Sequence, residues 1–180
     1  MQKIVRLIDR MNDVIGHSIS WLTVLMVIVT FLVVVLRYVF SSGSIAMQES
    51  IIYMHSIVFM LGVAFTLKQN GHVRVDIFYE RMGPRSRAWV DLLGATLLLI
   101  PFCLFIIVIS WSYVSLSWQL LESSRDAGGL PAVFLLKTMI PAMAILLMLQ
   151  GVAQALRSIL QLTGKHAESE RPPDEKTNNA

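Results

Sequence analysis

The chain has 180 residues, 55% of them hydrophobic and 15% charged, with a formal net charge of +3. That charged share lies well below the roughly 25% of a soluble domain, and the mean hydropathy is +0.64. A soluble enzyme is excluded as a class, and no nucleic-acid partner is expected.

Residues 1–14 carry Lys3, Arg6 and Arg10, while Ile4, Leu7, Ile8, Met11 and Ile15 recur at helical spacing. This predicts a short amphipathic helix that slides along the membrane surface before the chain turns upright. The next run, Val14 to Leu36, holds 23 residues without Asp, Glu, Lys or Arg. A signal-peptide core has about 7–15 apolar residues, so the run is read as a retained span and not as a cleaved leader. Three more charge-free windows follow, with 18 residues after Glu49, 30 after Asp91 and 19 after Lys137. A spanning helix needs about 20 predominantly apolar residues to cross ~30 Å of hydrocarbon. The fold class expected is therefore all-α integral membrane: four transmembrane helices, over about 15–36, 50–67, 92–121 and 138–156, plus amphipathic interfacial segments. A β-barrel needs stretches of alternating polarity about 10 residues long, which VLMVIVTFLVVVL does not offer. The membrane domain covers 15–162. The tail, 163–180, is polar and Pro-containing and is expected to be disordered.

The third window is the longest. At about 1.5 Å per residue it would reach roughly 45 Å, so it must tilt or project, with Pro101 permitting a kink. In the fourth, Pro141 is read as a proline near a helix start, where it costs little. Cys103 lies inside the third span and leaves no disulfide framework and no CxxC pair.

Lys and Arg set the orientation. Twelve of them lie before the first span, between the second and third, and after the fourth, against three (Arg37, Arg125 and Lys137) on the other side. Both termini and the 68–91 connection should be cytoplasmic. Within that connection, HVRVDIFYERMGPRSRAW (72–89) mixes basic with apolar residues. This fits a segment lying in the interface plane, apolar side chains down and guanidiniums up towards anionic lipid. A solvated turn is the plainer alternative.

Ionisable groups inside spans mark ion paths and proton relays. Here the four windows hold none of the Asp, Glu, Lys or Arg residues; these sit only at the ends. A stand-alone proton-coupled carrier is disfavoured on that ground. Two histidines fall within spans, but His17 starts the first span and His55 lies about four residues into the second from the other face. They differ by roughly 20 Å in depth, so one haem iron could not use both. No cofactor and no metal cluster is expected, and no enzyme reading finds a motif.

The order of short motifs resembles the small membrane subunit of tripartite ATP-independent periplasmic (TRAP) transporters, the DctQ-like family. The resemblance runs from about residue 10 to 162. It rests on RYVF (37–40), QESIIY (48–53), GHVRVDIFY (71–79), GGLP (128–131), IP (140–141) and LQG (149–151). Phe134 is read as the aromatic that such subunits place after the leucine–proline pair. The resemblance implies a subunit, in the bacterial inner membrane, of a sodium-driven, binding-protein-dependent importer of organic acids such as C4-dicarboxylates, 2-oxo acids or sugar acids. It implies two protein partners besides membrane lipid: a large membrane subunit carrying substrate and sodium, and a transient periplasmic substrate-binding protein. The small subunit would act as scaffold.

Two sets of residues are expected to matter. His72, Arg74, Val75 and Asp76 would form an interfacial elbow after the second span, held by charge-assisted hydrogen bonds. Arg37, Glu49, Glu122, Arg125 and Asp126, in the outward loops, would face the binding protein. The alternatives are an accessory or anchor subunit of another membrane complex, such as a respiratory enzyme, and a stand-alone carrier.

Overall fold

The computed structural model describes residues 1–72, 79 and 81–163. Four long apolar helices make up almost all of it, and no strand occurs among the described residues. They are α1 (Gln2–Val39), α2 (Ile45–Lys68), α3 (Pro84–Gln119) and α4 (Val133–Leu162). Three of the proposed elbow residues, Arg74, Val75 and Asp76, lie outside the described residues, as does the tail from residue 164.

Each helix starts ahead of its charge-free window. α1 is continuous from Gln2 onward, so the expected turn between an N-terminal surface helix and the first span is not there. The residues of α1 that face the bundle are Val5, Ile8, Asn12, Gly16 and Ile19, while Ile4 and Leu7, two of the apolar residues at helical spacing, are 54% and 69% exposed. α4 starts at Val133, which puts Pro141 inside the helix and not at its start. The reason is local: the charged Lys137 is neutralised within the fold, as described below, and so does not end the helix.

Helix ends follow one design. Ser41, Asn70 and Leu121 each adopt positive φ, at 49°, 55° and 44°. The following amide then bonds back five or six residues: Ser42 N to Leu36 O (2.9 Å), Gly71 N to Thr66 O (2.9 Å) and Glu122 N to Ser117 O (3.0 Å). These bonds satisfy carbonyls that a helix end leaves without partners. α2 begins on Ser44, whose hydroxyl accepts from the Met47 amide. Pro84 occupies the first turn of α3, where its missing N–H is harmless.

Pro101 does not produce a simple kink. The turn before it, Gly94–Leu99, is a π-helix, and the Ile100 amide reaches back to Ala95 O. A proline ring clashes with the carbonyl four residues earlier. Widening that turn by one residue relieves the clash while keeping the helix continuous.

The packing is centred on α4, which contacts α1, α2 and α3; α1 also lies along α2. The interfaces are built from small residues, as membrane helices require for close approach. Cys103 and Ala144 are fully buried with Leu147, and Val63, Leu67 and Leu99 pack around them. Ala153 meets Val5 and Ile8, flanked by Leu149 and Leu156. Gly151 lets Leu99 come so close that an added Cβ would lie 2.8 Å from its methyl carbon. Gly16 does the same for the Phe65 ring at 2.4 Å. Beyond Ile19, α1 buries no residue; Trp21, Phe31 and Tyr38 are 76%, 70% and 79% exposed.

Candidate functional site

Polar chemistry gathers at the two ends of the bundle. Both termini of the four-helix unit lie at one end, with the α2–α3 connection; the α1–α2 and α3–α4 loops lie at the other.

At the terminal end, Lys68 at the close of α2 forms an ion pair with Asp13 of α1, and its ammonium also donates to Asp9 O at 3.3 Å. The Asp9 carboxylate in turn pairs with Arg157 of α4. Three helices are therefore joined by two carboxylates and two cations. Beside this network, Asn12 and Gln150 are each 1% exposed. Asn12 Nδ2 donates to Gln150 Oε1 at 2.6 Å, linking α1 to α4. A second bond between the two amides is not made: Asn12 Oδ1 and Gln150 Nε2 are buried without partners. In a core of hydrocarbon-like side chains this amide pair is costly to separate.

The connection after α2 is braced from its far side. Tyr79 donates its hydroxyl to Asp91 Oδ2 at 2.7 Å, and Arg87 Nε donates to Tyr79 O at 3.0 Å while its guanidinium sits 5.3 Å from the Tyr79 ring. His72 is exposed. The other three expected elbow residues, Arg74, Val75 and Asp76, lie outside the described residues.

At the loop end, two glutamates anchor the α3–α4 loop. Glu49, in the second turn of α2, accepts from the Ser124 hydroxyl and from the Leu130 amide. Gly129 makes room for it: a Cβ there would lie 2.7 Å from Glu49 Oε1 and 2.4 Å from Ser124 Oγ. Glu122 accepts from Lys137 and from Ser117 Oγ, the latter at 2.7 Å. The Lys137 ammonium also lies 4.0 Å over the Tyr113 ring. Trp118 Nε1 donates to Thr138 Oγ1 at 2.8 Å and its ring meets Phe134 edge-on at 4.7 Å, so Phe134 closes the α3–α4 corner.

Of the five loop residues expected to face a partner, Glu49 and Glu122 are thus engaged inside the chain. Arg37, Arg125 and Asp126 are exposed. Asp9, Asn12 and Asp13 were missed as a group, since a contact spanning 138 residues leaves no local trace.

The hydrogen bond from Lys137, followed by that from Ser117, holds the Glu122 carboxyl below the usual glutamate range, partial desolvation opposing them. A folded-state value lowered in this way stabilises the fold above the unfolded glutamate value of about 4.3, and the contribution is lost as pH falls through the folded value. Acidification below about pH 4 is therefore expected to loosen the corner and change Trp118 fluorescence. In Glu122→Gln that acid transition should disappear, and an identical transition in both proteins would refute the assignment.

The family profile described as "Tripartite ATP-independent periplasmic transporters, DctQ component" matches residues 26–161. A protein of Haemophilus influenzae (strain ATCC 51907 / DSM 11121 / KW20 / Rd), described as a TRAP transporter small permease protein, is 30% identical over 131 residues, 73% of this chain and 77% of that protein. No solved structure matches.

Proposed function

The chain belongs to the DctQ component family of TRAP transporters, and we propose that it serves as the scaffold subunit of a sodium-driven organic-acid importer. The substrate would be a C4-dicarboxylate, a 2-oxo acid or a sugar acid, delivered by a periplasmic binding protein. A large membrane subunit would carry substrate and sodium, and this chain would brace it in the bacterial inner membrane with both termini in the cytoplasm. The twelve-to-three distribution of Lys and Arg supports that orientation.

One observation carries the scaffold role. Asp9, Asp13, Glu49 and Glu122 all spend their carboxylates on joining helices or loops of this chain, at the ends of the bundle. Carboxylates that bind a transported ion must exchange their ligands, whereas these are committed to internal partners. The chain is thereby stiffened, which suits a static support.

The test is reconstitution. Sodium-driven uptake into vesicles is expected only when this chain, the large subunit and the binding protein are all present. Accumulation of an organic acid by this chain alone would overturn the proposal.

A further inference from the structure

We propose that the face of α2 centred on His55, framed by Ile52 and Phe59, is where a transmembrane helix of the large subunit docks, meeting the imidazole with a hydrogen-bonding side chain of its own. The inference rests on the scaffold reading above and deepens it by assigning the contact face.

α2 has 24 residues from Ile45 to Lys68, and so extends about 36 Å at 1.5 Å per residue. His55 stands ten residues from its start, which is about 15 Å along. Between the charged residues near the two ends of the helix, His55 lies six residues past Glu49 and thirteen before Lys68, about 9 Å and 20 Å along, and so stands inside the charge-free stretch. Its side chain is exposed, pointing away from the buried face that contains Met54 and Ala64. The ring lies nearly parallel to Phe59 with centroids 6.4 Å apart, a loose contact. It is hydrogen-bonded to no described residue.

Three threonines in the spans behave differently. Thr30 donates to Met26 O at 2.7 Å, Thr66 to Gly62 O at 2.9 Å and Thr96 to Leu92 O at 2.7 Å. Such hydroxyls satisfy themselves on their own helix and can face lipid. An imidazole left without a partner in hydrocarbon is costly, and ionisable residues at that depth face protein or water. Acyl chains offer no donor or acceptor, so lipid alone cannot meet this need. The long apolar face of α3 is different: Leu97, Phe105 and Val108 are 67%, 59% and 75% exposed, and lipid covers such a face at no cost. One turn to either side of His55, Ile52 and Phe59 are 57% and 62% exposed. The result is a polar spot in an apolar frame, which fits a helix with one hydrogen-bonding residue at the same depth.

The test uses the complete complex in membranes. A benzophenone amino acid replaces Ile52 in one preparation and Phe105 in another. Irradiation should give an adduct of this chain with the large subunit from position 52 and not from 105. In parallel, His55→Leu should lower recovery of the large subunit on tagged chain about threefold or more, while His55→Gln stays within twofold of wild type. Leu is compatible with lipid, so this loss would not come from misfolding; the separated chain should keep its helicity and elution volume. Large-subunit adducts from 105 alone, or only lipid or self-adducts from 52, overturn the docking face while leaving the scaffold reading intact. Failure of the wild-type chain to co-purify with any large subunit removes both.

Discussion

Gln150→Leu is expected to weaken the fold more than the loss of a single hydrogen bond suggests. The Asn12 amide would stay buried at 1% exposure with no partner at all, at a cost of about 1–3 kcal/mol. Removing both polar groups has the opposite logic. In Asn12→Leu/Gln150→Leu the desolvation penalty vanishes from both helices, so most of the lost stability should return. A double-mutant cycle on denaturation midpoints measures this, and the expected coupling between the two positions is about 1–2 kcal/mol. Additive single and double effects would mean that the pair is not a functional unit. The pair also illustrates what a polar contact contributes in a membrane. Apolar faces slide past one another with little change in energy, because lipid is as apolar as leucine, whereas one amide bond defines a register. With one donor and one acceptor already unsatisfied, this register is set at some expense in stability.

Glu49→Ala should release the α3–α4 loop. The substitution leaves the Ser124 hydroxyl and the Leu130 amide without their acceptor, and Gly129 faces the resulting gap. Two hydrogen bonds to a charged group are lost, so about 2 kcal/mol of loop anchoring is a reasonable scale. That corresponds to roughly a 25-fold rise in the open population. Arg125 is exposed within the same loop and provides the readout, because trypsin cutting after it in nanodiscs should accelerate by a similar factor. Glu49→Gln retains an acceptor and should cost less. A cleavage rate within twofold of wild type for Glu49→Ala would show that the loop holds its shape without the staple.

These two clusters also show where sequence reading succeeds and where it stops. The four spans were legible because hydrocarbon thickness imposes a length, and 18 to 30 residues without charge leave little else to form. Helix ends are not, because a charged residue ends an apolar window without ending the helix. Glu49, Lys68, Asp91 and Lys137 all lie within helices, each tied to a group that the sequence places far away or across a turn. The basic residues were read for side of the membrane, yet Lys68 and Arg157 turn out to be ion-paired to α1 as well. Asn12 sits among charged neighbours and reads as surface; only the approach of α4 makes it a core residue. The inward face of α1 is not legible for a related reason. Ile4, Leu7, Ile8 and Met11 make a plausible apolar stripe, but in a membrane apolar side chains are as well placed outward as inward, so periodicity loses its meaning.

The widened turn in α3 has a consequence for the whole helix. Its inward residues Ala88, Ala95, Cys103 and Ser110 follow one another at intervals of seven, eight and seven. The odd step falls across Gly94–Leu99 and absorbs one surplus residue. Trimming a single position there would yield a more regular rod, yet it would swing Cys103, Ser110, Val114 and Ser117 around the axis by about 100°. Pro101 thus acts as a phase marker: by keeping that surplus residue in place, it keeps the two halves of one helix aimed at the same neighbour.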